Sequence, residues 1–596
     1  MAQQIVAQTL MQRLADWGID TIFGLPGDGI NGLMEGLRRT QDRIKFVLVH
    51  HEEAAAFMAT GHAKLTGQVG VCMATSGPGG IHLLNGLYDA KLDHMPVLAI
   101  TGMQETQLLG TGYQQEVHLD KLYMDVAGYN QMIYVPDQTE TIVDLAIRHA
   151  LSSRSVSHIT IPVDVQIAPA HKYPYEPTAP ARKPQTAPIY MKEFKTPPEA
   201  QLIEAANVLN SASKVVILAG AGALGARKQV IEVAEKLAAP IVKTLPGKAV
   251  VPDNHPLTTG GLGLLGTLAS EEAMEKADTL FMIGTNFPYT KFLPSPKDVK
   301  VVQIEIDPFR AGNRIPTEIP LVGDTESTLE ALIKFINKKT DQKFISDIQA
   351  SMKKWNNKMR ALEDPNRDPI QPQYLMKLIN QFASNDAILA SDSGTIATWA
   401  ARHFEIRDKR EFYLSGNLAT MAPGLPYTIA AQLVHPNRQC IGFVGDGGFA
   451  MLMAEFLTAL RHKLPIKIFI SNNGEYGQIL WEQMVLGYPE FGVRHNEIAG
   501  HKYADFSTFA HSNNGFGIHV SKASELEDAV SKAFAFDGPA LVDVEVNPNE
   551  PPMPAKVTYE QAKSFATAFL KGQPHKVSIA STLFRDKLES FTKDSK

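Results

Sequence analysis

The chain has 596 residues, 44% of them hydrophobic and 20% charged, a balance that excludes a largely disordered protein. That length exceeds what one hydrophobic core organises, so two to four domains are expected, three on the pattern below. A formal net charge of −6 without a long basic run or zinc-finger spacing gives no case for nucleic acid, and two cysteines, Cys72 and Cys440, exclude a disulfide framework and suit a reducing cytoplasm.

The N-terminal MAQQIVAQTLMQRLADWGID places Ile5, Leu10, Leu14 and Trp17 on one side of an amphipathic helix and lacks the basic start and apolar core of a signal peptide. No run reaches the roughly 18–20 consecutive apolar residues of a membrane span. Short β-branched runs then alternate with helical stretches. They are TIFGLPG, KFVLVH, VGVCMAT and MPVLAIT in the first third, KVVILAG, TLFMIGT and KVVQIEID in the middle, and AILASD, QCIGFVGDGG, IKIFISNN and ALVDVEV in the last. Near-continuous apolar strands separated by helices predict an α/β fold of three doubly wound parallel-sheet domains. A proline-rich stretch around 168–198 and a polar one around 337–372 read as linkers, which sets domains of 1–185, 186–345 and 346–550 and a tail of 551–596.

In VLVHHEEAAAFMATGHAKLTG a strand runs into Glu52 and Glu53 and then a helix of small residues. On its own this pair reads as first-turn acids that complement the helix dipole. In ATSGPGGIHLLNGLYDA, Gly77, Gly79 and Gly80 permit close backbone approach, and His82 reads either as a helix cap or as a polar pocket group. The strongest local signal is GDGG, where Gly445, Gly447 and Gly448 lie between the strand CIGFV and a helix and let backbone N–H groups approach a diphosphate. Asp446 offers a carboxylate and Asn473, at the end of the next strand, an amide oxygen, the hard donors that Mg²⁺ requires. Both fall at carboxyl ends of parallel strands, where such folds bind ligands. A lone GDG is more often only a turn.

GDGG followed by Asn472 and Asn473 resembles the thiamine diphosphate signature, and GLPGDGIN (24–31), residues 74–90 and MPVLAITG (95–102) are similar to the pyrimidine-binding domain of the family that includes pyruvate oxidase, acetolactate synthase and benzoylformate decarboxylase. The resemblance implies that Asp446, Asn473 and the carbonyl of Glu475 hold Mg²⁺ and that Glu52 is the catalytic acid. Thiamine chemistry needs such an acid because the aminopyrimidine must be protonated before its amino group can take the C2 proton, and a carboxyl shielded from water can carry that proton near neutral pH. It further implies that Ala419, Thr420 and Met421 in SGNLATMAPGLP line the cofactor, Met421 as the bulky support under the bent thiamine, although by composition Met421 equally reads as a core residue.

AGAGALGAR (219–227), LPGKAVVPDNHP (245–256), GLGLLG (261–266), GTNFPY (284–289), VVQIEIDP (301–308) and VGD (322–324) resemble the FAD domain of the pyruvate oxidase and pyruvate:quinone oxidoreductase group. That implies FAD contacts from Gly220, Gly222, Gly263, Thr285, Asn286, Phe287, Glu305 and Asp324, whereas AGAGALGAR alone would be a weak dinucleotide motif. Substrate contacts implied in the same way are Gly29, His82, Gln115, Ile479 and Glu482, with Gln114 standing where the group carries an aromatic. The activity implied is oxidative decarboxylation of pyruvate or a close 2-oxo acid, with electrons passing to FAD and then to quinone or O₂, in a homo-oligomer that is at least a dimer and by the group's habit a tetramer. An acetolactate-synthase-like carboligase with structural FAD and a cofactor-binding regulatory homologue are the alternatives. In the tail, Ala580, Leu583, Phe584, Leu588 and Phe591 share one helical face, which either packs on the enzyme or docks at the inner face of a membrane.

Overall fold

Each apolar run quoted above forms one strand of a parallel sheet in a computed structural model that describes residues 4–170, 186–495 and 503–593. The first sheet comprises β1 (Thr21–Gly24), β2 (Lys45–Leu48), β3 (Gly70–Ala74), β4 (Val97–Met103), β5 (Ala127–Met132) and β6 (Val156–Pro162), in the order β2-β1-β3-β4-β6-β5. The second comprises β7 (Val215–Ala219), β8 (Ile241–Lys243), β9 (Thr258–Gly261), β10 (Thr279–Ile283), β11 (Lys300–Glu305) and β12 (Ile319–Val322), in the order β12-β11-β10-β7-β8-β9. The third comprises β13 (Ile388–Ser391), β14 (Glu411–Tyr413), β15 (Cys440–Gly445), β16 (Lys467–Asn472), β17 (Phe516–Val520) and β18 (Ala540–Glu545), in the order β14-β13-β15-β16-β18-β17. Central strands such as β7 and β10 are buried along their whole length, which is why their sequences are continuously apolar rather than alternating.

The first and third sheets share one strand order, and each has a crevice where the winding direction reverses, between β1 and β3 and between β13 and β15. Counted in its own strands, the middle sheet runs 3-2-1-4-5-6 and reverses between β7 and β10. The helix Lys343–Ala361 straddles the boundary expected at 345. It lies against the helix Leu268–Lys276 and puts Ile348 into the middle core, so the chain turns to the third sheet only beyond it. Of the proline-rich stretch, residues 171–185 lie outside the described residues, and regular structure resumes at Glu199.

The helix Glu52–Thr66 shows no amphipathic pattern because it is enclosed on several sides, ten of its fifteen residues being buried. Its small side chains let neighbours come close. A Cβ at Gly70 on β3 would lie 1.9 Å from the Ala59 carbonyl oxygen, and one at Gly86, in the helix Leu84–Leu92, 2.6 Å from the Ala56 Cβ. On the opposite side Gly61 faces Tyr427 of the helix Gly424–Val434, so the first and third domains share one apolar core. His51 caps the start by accepting from Glu53 N at 3.2 Å, and Gly67 ends the helix at φ 69°.

The tail folds back as the helices Tyr559–Leu570 and Lys576–Lys593. Ala568 and Ile579 pack with Leu480, Trp481 and Met484 of the helix Gly477–Val485, and Phe565 stacks on Trp481. The last helix buries Ile579 and Thr582 and half-buries Leu583, while Ala580 and Phe584 are exposed, so the packed face is turned from the one expected. The side chains of Leu588 and Phe591 lie outside the described residues. Among the described residues no helix is long and apolar enough to cross a membrane.

The close crossing at Gly70 generates a test of this packing. Gly70→Ala drives a methyl into backbone and should cost about 1–3 kcal/mol, seen as a lower denaturant midpoint. An unchanged midpoint would show that the Glu52 helix can slide away from β3.

Candidate active site

The turn after β2 delivers Glu52 as the first residue of its helix, 6% exposed, with Oε2 2.9 Å from His82 Nδ1. His82 stacks on His51 with ring centres 4.6 Å apart, so it is a partner of Glu52 rather than a cap. The turn is anchored in the third domain: His50 N and His51 N both donate to buried Glu455 Oε1, at 2.8 and 3.0 Å. Glu53 has its own partner, accepting from Asn85 Nδ2 at 2.6 Å, a contact that the dipole account did not foresee. In the crevice between β1 and β3, Gly29 N donates to Thr75 Oγ1 at 3.1 Å, and a Cβ at Gly29 would sit 2.4 Å from Ser76 Oγ. Gln115, at φ 60°, lays its backbone against Gly77 and buries an amide oxygen without a partner among the described residues, while Gln114 is exposed.

The crevice between β13 and β15 holds carboxylates. Asp446 is 3% exposed, its Oδ2 accepts from Gly474 N at 2.7 Å, and burial pushes its carboxyl up to about 7. Asp392, at the end of β13 and not foreseen as a site residue, is 1% exposed and is likewise pushed up to about 7 by burial. Its Oδ1 accepts from Gly424 N at 2.6 Å, whereas its Oδ2 has no partner among the described residues and points at the GDGG turn, where a Cβ on Gly448 would be 2.1 Å away. Gly447 is required too, since a Cβ there would meet the Tyr476 ring at 2.7 Å. Gly445 ends β15, where a Cβ would have room.

Asn473 is half-buried, and its Oδ1 accepts from Glu475 N at 3.2 Å. The Glu475 carboxyl is buried and pushed up to about 8 by that burial, with Arg494 opposing the shift from 2.8 Å and Glu490 and Asp446 adding to it. Residues 493–495 fold over this loop through Tyr476 N to Val493 O at 2.8 Å and His495 N to Gly474 O at 3.2 Å, leaving His495 Nε2 3.6 Å from Asp446 Oδ2. Ala419 is exposed at φ 55°, Thr420 and Met421 are half-buried, and Met421 stands outside the apolar cores. Ile479 and Glu482 share the exposed face of their helix, where Glu482 accepts from Gln478 Nε2 at 3.0 Å.

In the middle domain the loops after β7 and β10 pack through glycine. A Cβ at Gly220 would lie 2.5 Å from Thr285 Cβ and one at Gly222 2.8 Å from Gly284 Cα, and Gly222 N donates to Gly284 O at 2.9 Å. Thr285 is buried, Asn286 has a buried amide oxygen unpartnered among the described residues, and Phe287 is a core residue beside Gly263, which sits at φ 96°. Glu305 Oε1 accepts from Ile306 N and Asp307 N at 3.0 and 3.2 Å, and Asp324 caps the helix Thr325–Leu332.

Behind the metal-type donors lies a polar support. Asp543 accepts from Asn472 Nδ2 at 2.9 Å and from Phe506 N at 3.0 Å, and His519 bridges Asp543 Oδ2 at 3.1 Å and Glu545 Oε1 at 3.0 Å.

Family models match the chain in three places: the thiamine pyrophosphate enzyme N-terminal TPP binding domain over residues 5–124, the central domain over 202–332 and the C-terminal TPP binding domain over 392–544. The chain is 40% identical over 571 residues to YdaP of Bacillus subtilis, provisionally named as a thiamine pyrophosphate-containing protein, with 96% of each chain covered. It is 32% identical over 567 residues to pyruvate oxidase of Lactiplantibacillus plantarum, covering 94% of this chain and 92% of that one. To the acetolactate synthase of Mycobacterium bovis it is 29% identical over 551 residues, covering 90% and 87%.

The hydrogen bond to Asp543, with the further pull of Asp543 and Glu545, raises His519 from 6.5 to about 9 in the folded chain. Its stabilisation is therefore complete below about pH 6.5 and is lost as pH rises through about 9. The denaturant midpoint should fall over that window, and the fall should flatten in His519→Gln. Identical pH profiles for the two proteins would contradict this support.

Proposed function

The chain belongs to the thiamine pyrophosphate enzyme family, and from that premise we propose that it oxidatively decarboxylates pyruvate or a close 2-oxo acid. Thiamine diphosphate and Mg²⁺ would sit between the first domain of one subunit and the third domain of another, FAD would sit in the middle domain, and quinone or O₂ would take the electrons. The observation that carries the flavin part of this reading is the middle sheet, a feature that the carboligase alternative shares. Its 3-2-1-4-5-6 order and the glycine loops packed at its reversal suit a dinucleotide. Pyruvate oxidase among the relatives supports the substrate.

The residues present fit the groups that the family implies. Asp446 and Asp392 are buried beside a turn with no room for a side chain at Gly448, and the cost of burying carboxylates is relieved by a divalent cation. Asp446, Asn473 and the carbonyl of Glu475 would hold Mg²⁺, and the Gly447 and Gly448 backbone would face the diphosphate. In the middle domain Gly220, Gly222, Thr285 and Asn286 would face FAD. Ile81 and Tyr113 near the first crevice, and Met451 and Ile479 near the third, stay exposed on a single chain, which favours closure by a second copy.

When bound, thiamine diphosphate supplies the nucleophilic carbon and the sink for the electron pair released with CO₂, and FAD the acceptor of two electrons. Glu52 holds the proton that a basic ring nitrogen receives, and His82 Nδ1 fixes its Oε2 from 2.9 Å. Met421 would prop the cofactor from the third domain. Gly29, Gln114, Gln115, Ile479 and Glu482 line the approach of the 2-oxo acid.

Glu52→Gln should retain both cofactors and lose about 10²–10⁴-fold in turnover, and near-normal turnover by the folded variant would remove Glu52 from this role. Asp446→Ala should weaken thiamine diphosphate and Mg²⁺ uptake, and unchanged titrations would reduce GDGG to a turn. Anaerobic pyruvate should bleach the flavin absorbance of the holoenzyme. Formation of acetolactate without bleaching would overturn the oxidative reading in favour of carboligation.

A further inference from the structure

The loop from Ser415 to Ala422 joins β14 to the helix Gly424–Val434 with two L-residues in the left-handed region, Ala419 at φ 55° and Ala422 at φ 76°. Such backbone persists only where its surroundings hold it. Within the loop Thr420 N donates to Ser415 Oγ at 3.1 Å, but most of the holding comes from the first domain.

At one end Asp93 sits in a ring of donors. Its Oδ1 accepts from Asn417 N at 2.8 Å and Asn417 Nδ2 at 2.9 Å, and its Oδ2 from Gly416 N at 2.8 Å and Lys64 Nζ at 2.7 Å. Lys64 Nζ also donates to Leu414 O at 2.7 Å and lies 4.7 Å from the centre of the Tyr427 ring, whose hydroxyl donates to Asp89. The Lys64, Asp93 and Asp89 side chains are 7%, 8% and 0% exposed, so water does not compete for these contacts. A Cβ at Gly416 would lie 2.9 Å from Asp93 Oδ1, which keeps the loop seated directly on the carboxylate. At the other end Asn85 Nδ2 donates to Thr420 Oγ1 at 3.2 Å and to Glu53 Oε1 at 2.6 Å. Both attachments lead to the same helix, through Glu53 at its start and Lys64 near its end.

We propose that Asp93 and Asn85 are positioning residues that clamp the loop carrying Ala419, Thr420 and Met421 to the helix that begins with Glu52, so that the support a chain gives to one cofactor and the acid it presents to the neighbouring one are held by one rigid body. This rests on the roles given above to Met421 and Glu52. The clamp also explains why Asp93 and Lys64, which touch neither crevice, are buried as charges. Their ion pair is completed by three backbone groups of the third domain, Leu414 O, Gly416 N and Asn417 N.

Amide hydrogen exchange on the full-length protein without cofactor, followed by titration with thiamine diphosphate and Mg²⁺, tests the clamp in Asn85→Ala and Asp93→Asn. Exchange in residues 415–422 should rise about tenfold in each variant while residues 445–452 keep the wild-type rate, and thiamine diphosphate should bind about tenfold more weakly. Wild-type exchange over 415–422 in the folded variants overturns the proposal, as does an equal rise over 445–452, which would mark a merely structural defect. Asn85 is exposed and its variant decides the matter if Asp93→Asn does not fold. Failure of the wild-type protein to take up thiamine diphosphate would sink the reading of Met421, and the exchange comparison would still judge the clamp.

Discussion

Everything at the two outer crevices depends on how tightly the Glu52 helix is enclosed. Alanines 54, 55, 56 and 59 and Gly61 bring β3, the Leu84 helix and the Gly424 helix to backbone contact, and no larger side chain fits at Gly70 or Gly86. A helix held on several sides cannot rotate or slide without breaking a core shared by two domains. That fixes Glu52 to His82 on one side and the Thr420 loop to Asn85 on the other. The cost is a run of small residues that carries little apolar area of its own, so its stability comes from the neighbours that it admits.

The third domain is built on the opposite principle. Asp446, Asp392 and Glu475 are buried with incomplete compensation, and burial raises each of them. Buried carboxylates without matching cations are unfavourable for an empty protein, and they cluster where two parallel strands diverge. Arg494, paired with Glu475 and bidentate to Glu490, supplies part of the missing charge, and Glu490 in turn bonds Gln573 of the tail. The tail is thereby connected to the loop that follows Asn473 through ordinary hydrogen bonds.

Much of this was legible in the sequence because the chemistry is local there. GDGG and HHEE each place their key residue at a strand end within a few positions, and continuous apolar runs identify most of the central strands, β6 and β8 excepted. Of the edge strands only β2 was legible, and others were not: β5 reads AGYNQM and β17 FGIHV, half-exposed sequences without an apolar run. Asp392 was hidden for another reason. Its carboxylate becomes a site residue only because Gly448, 56 positions later (448 − 392), lies against it. Asn85, Asp93 and His495 likewise act through residues far along the chain or across a turn. The helix Lys343–Ala361 looked like a linker because its outer face is charged, and only its packing on the middle core shows which domain it joins. In the tail, the spacing gave a helix and an apolar stripe, but the choice of face was made by the pocket around Trp481.

The central claim is that Glu52 is the acid that readies thiamine diphosphate bound at Asp446. It is tested most directly by following deuterium exchange at C2 of the cofactor, in rapid acid quench, with the wild-type holoenzyme and Glu52→Gln. The account predicts exchange orders of magnitude faster than for free cofactor in the wild type, about 10²–10⁴-fold slower in the variant. Equal rates for the two proteins, with the cofactor demonstrably bound in both, would contradict it.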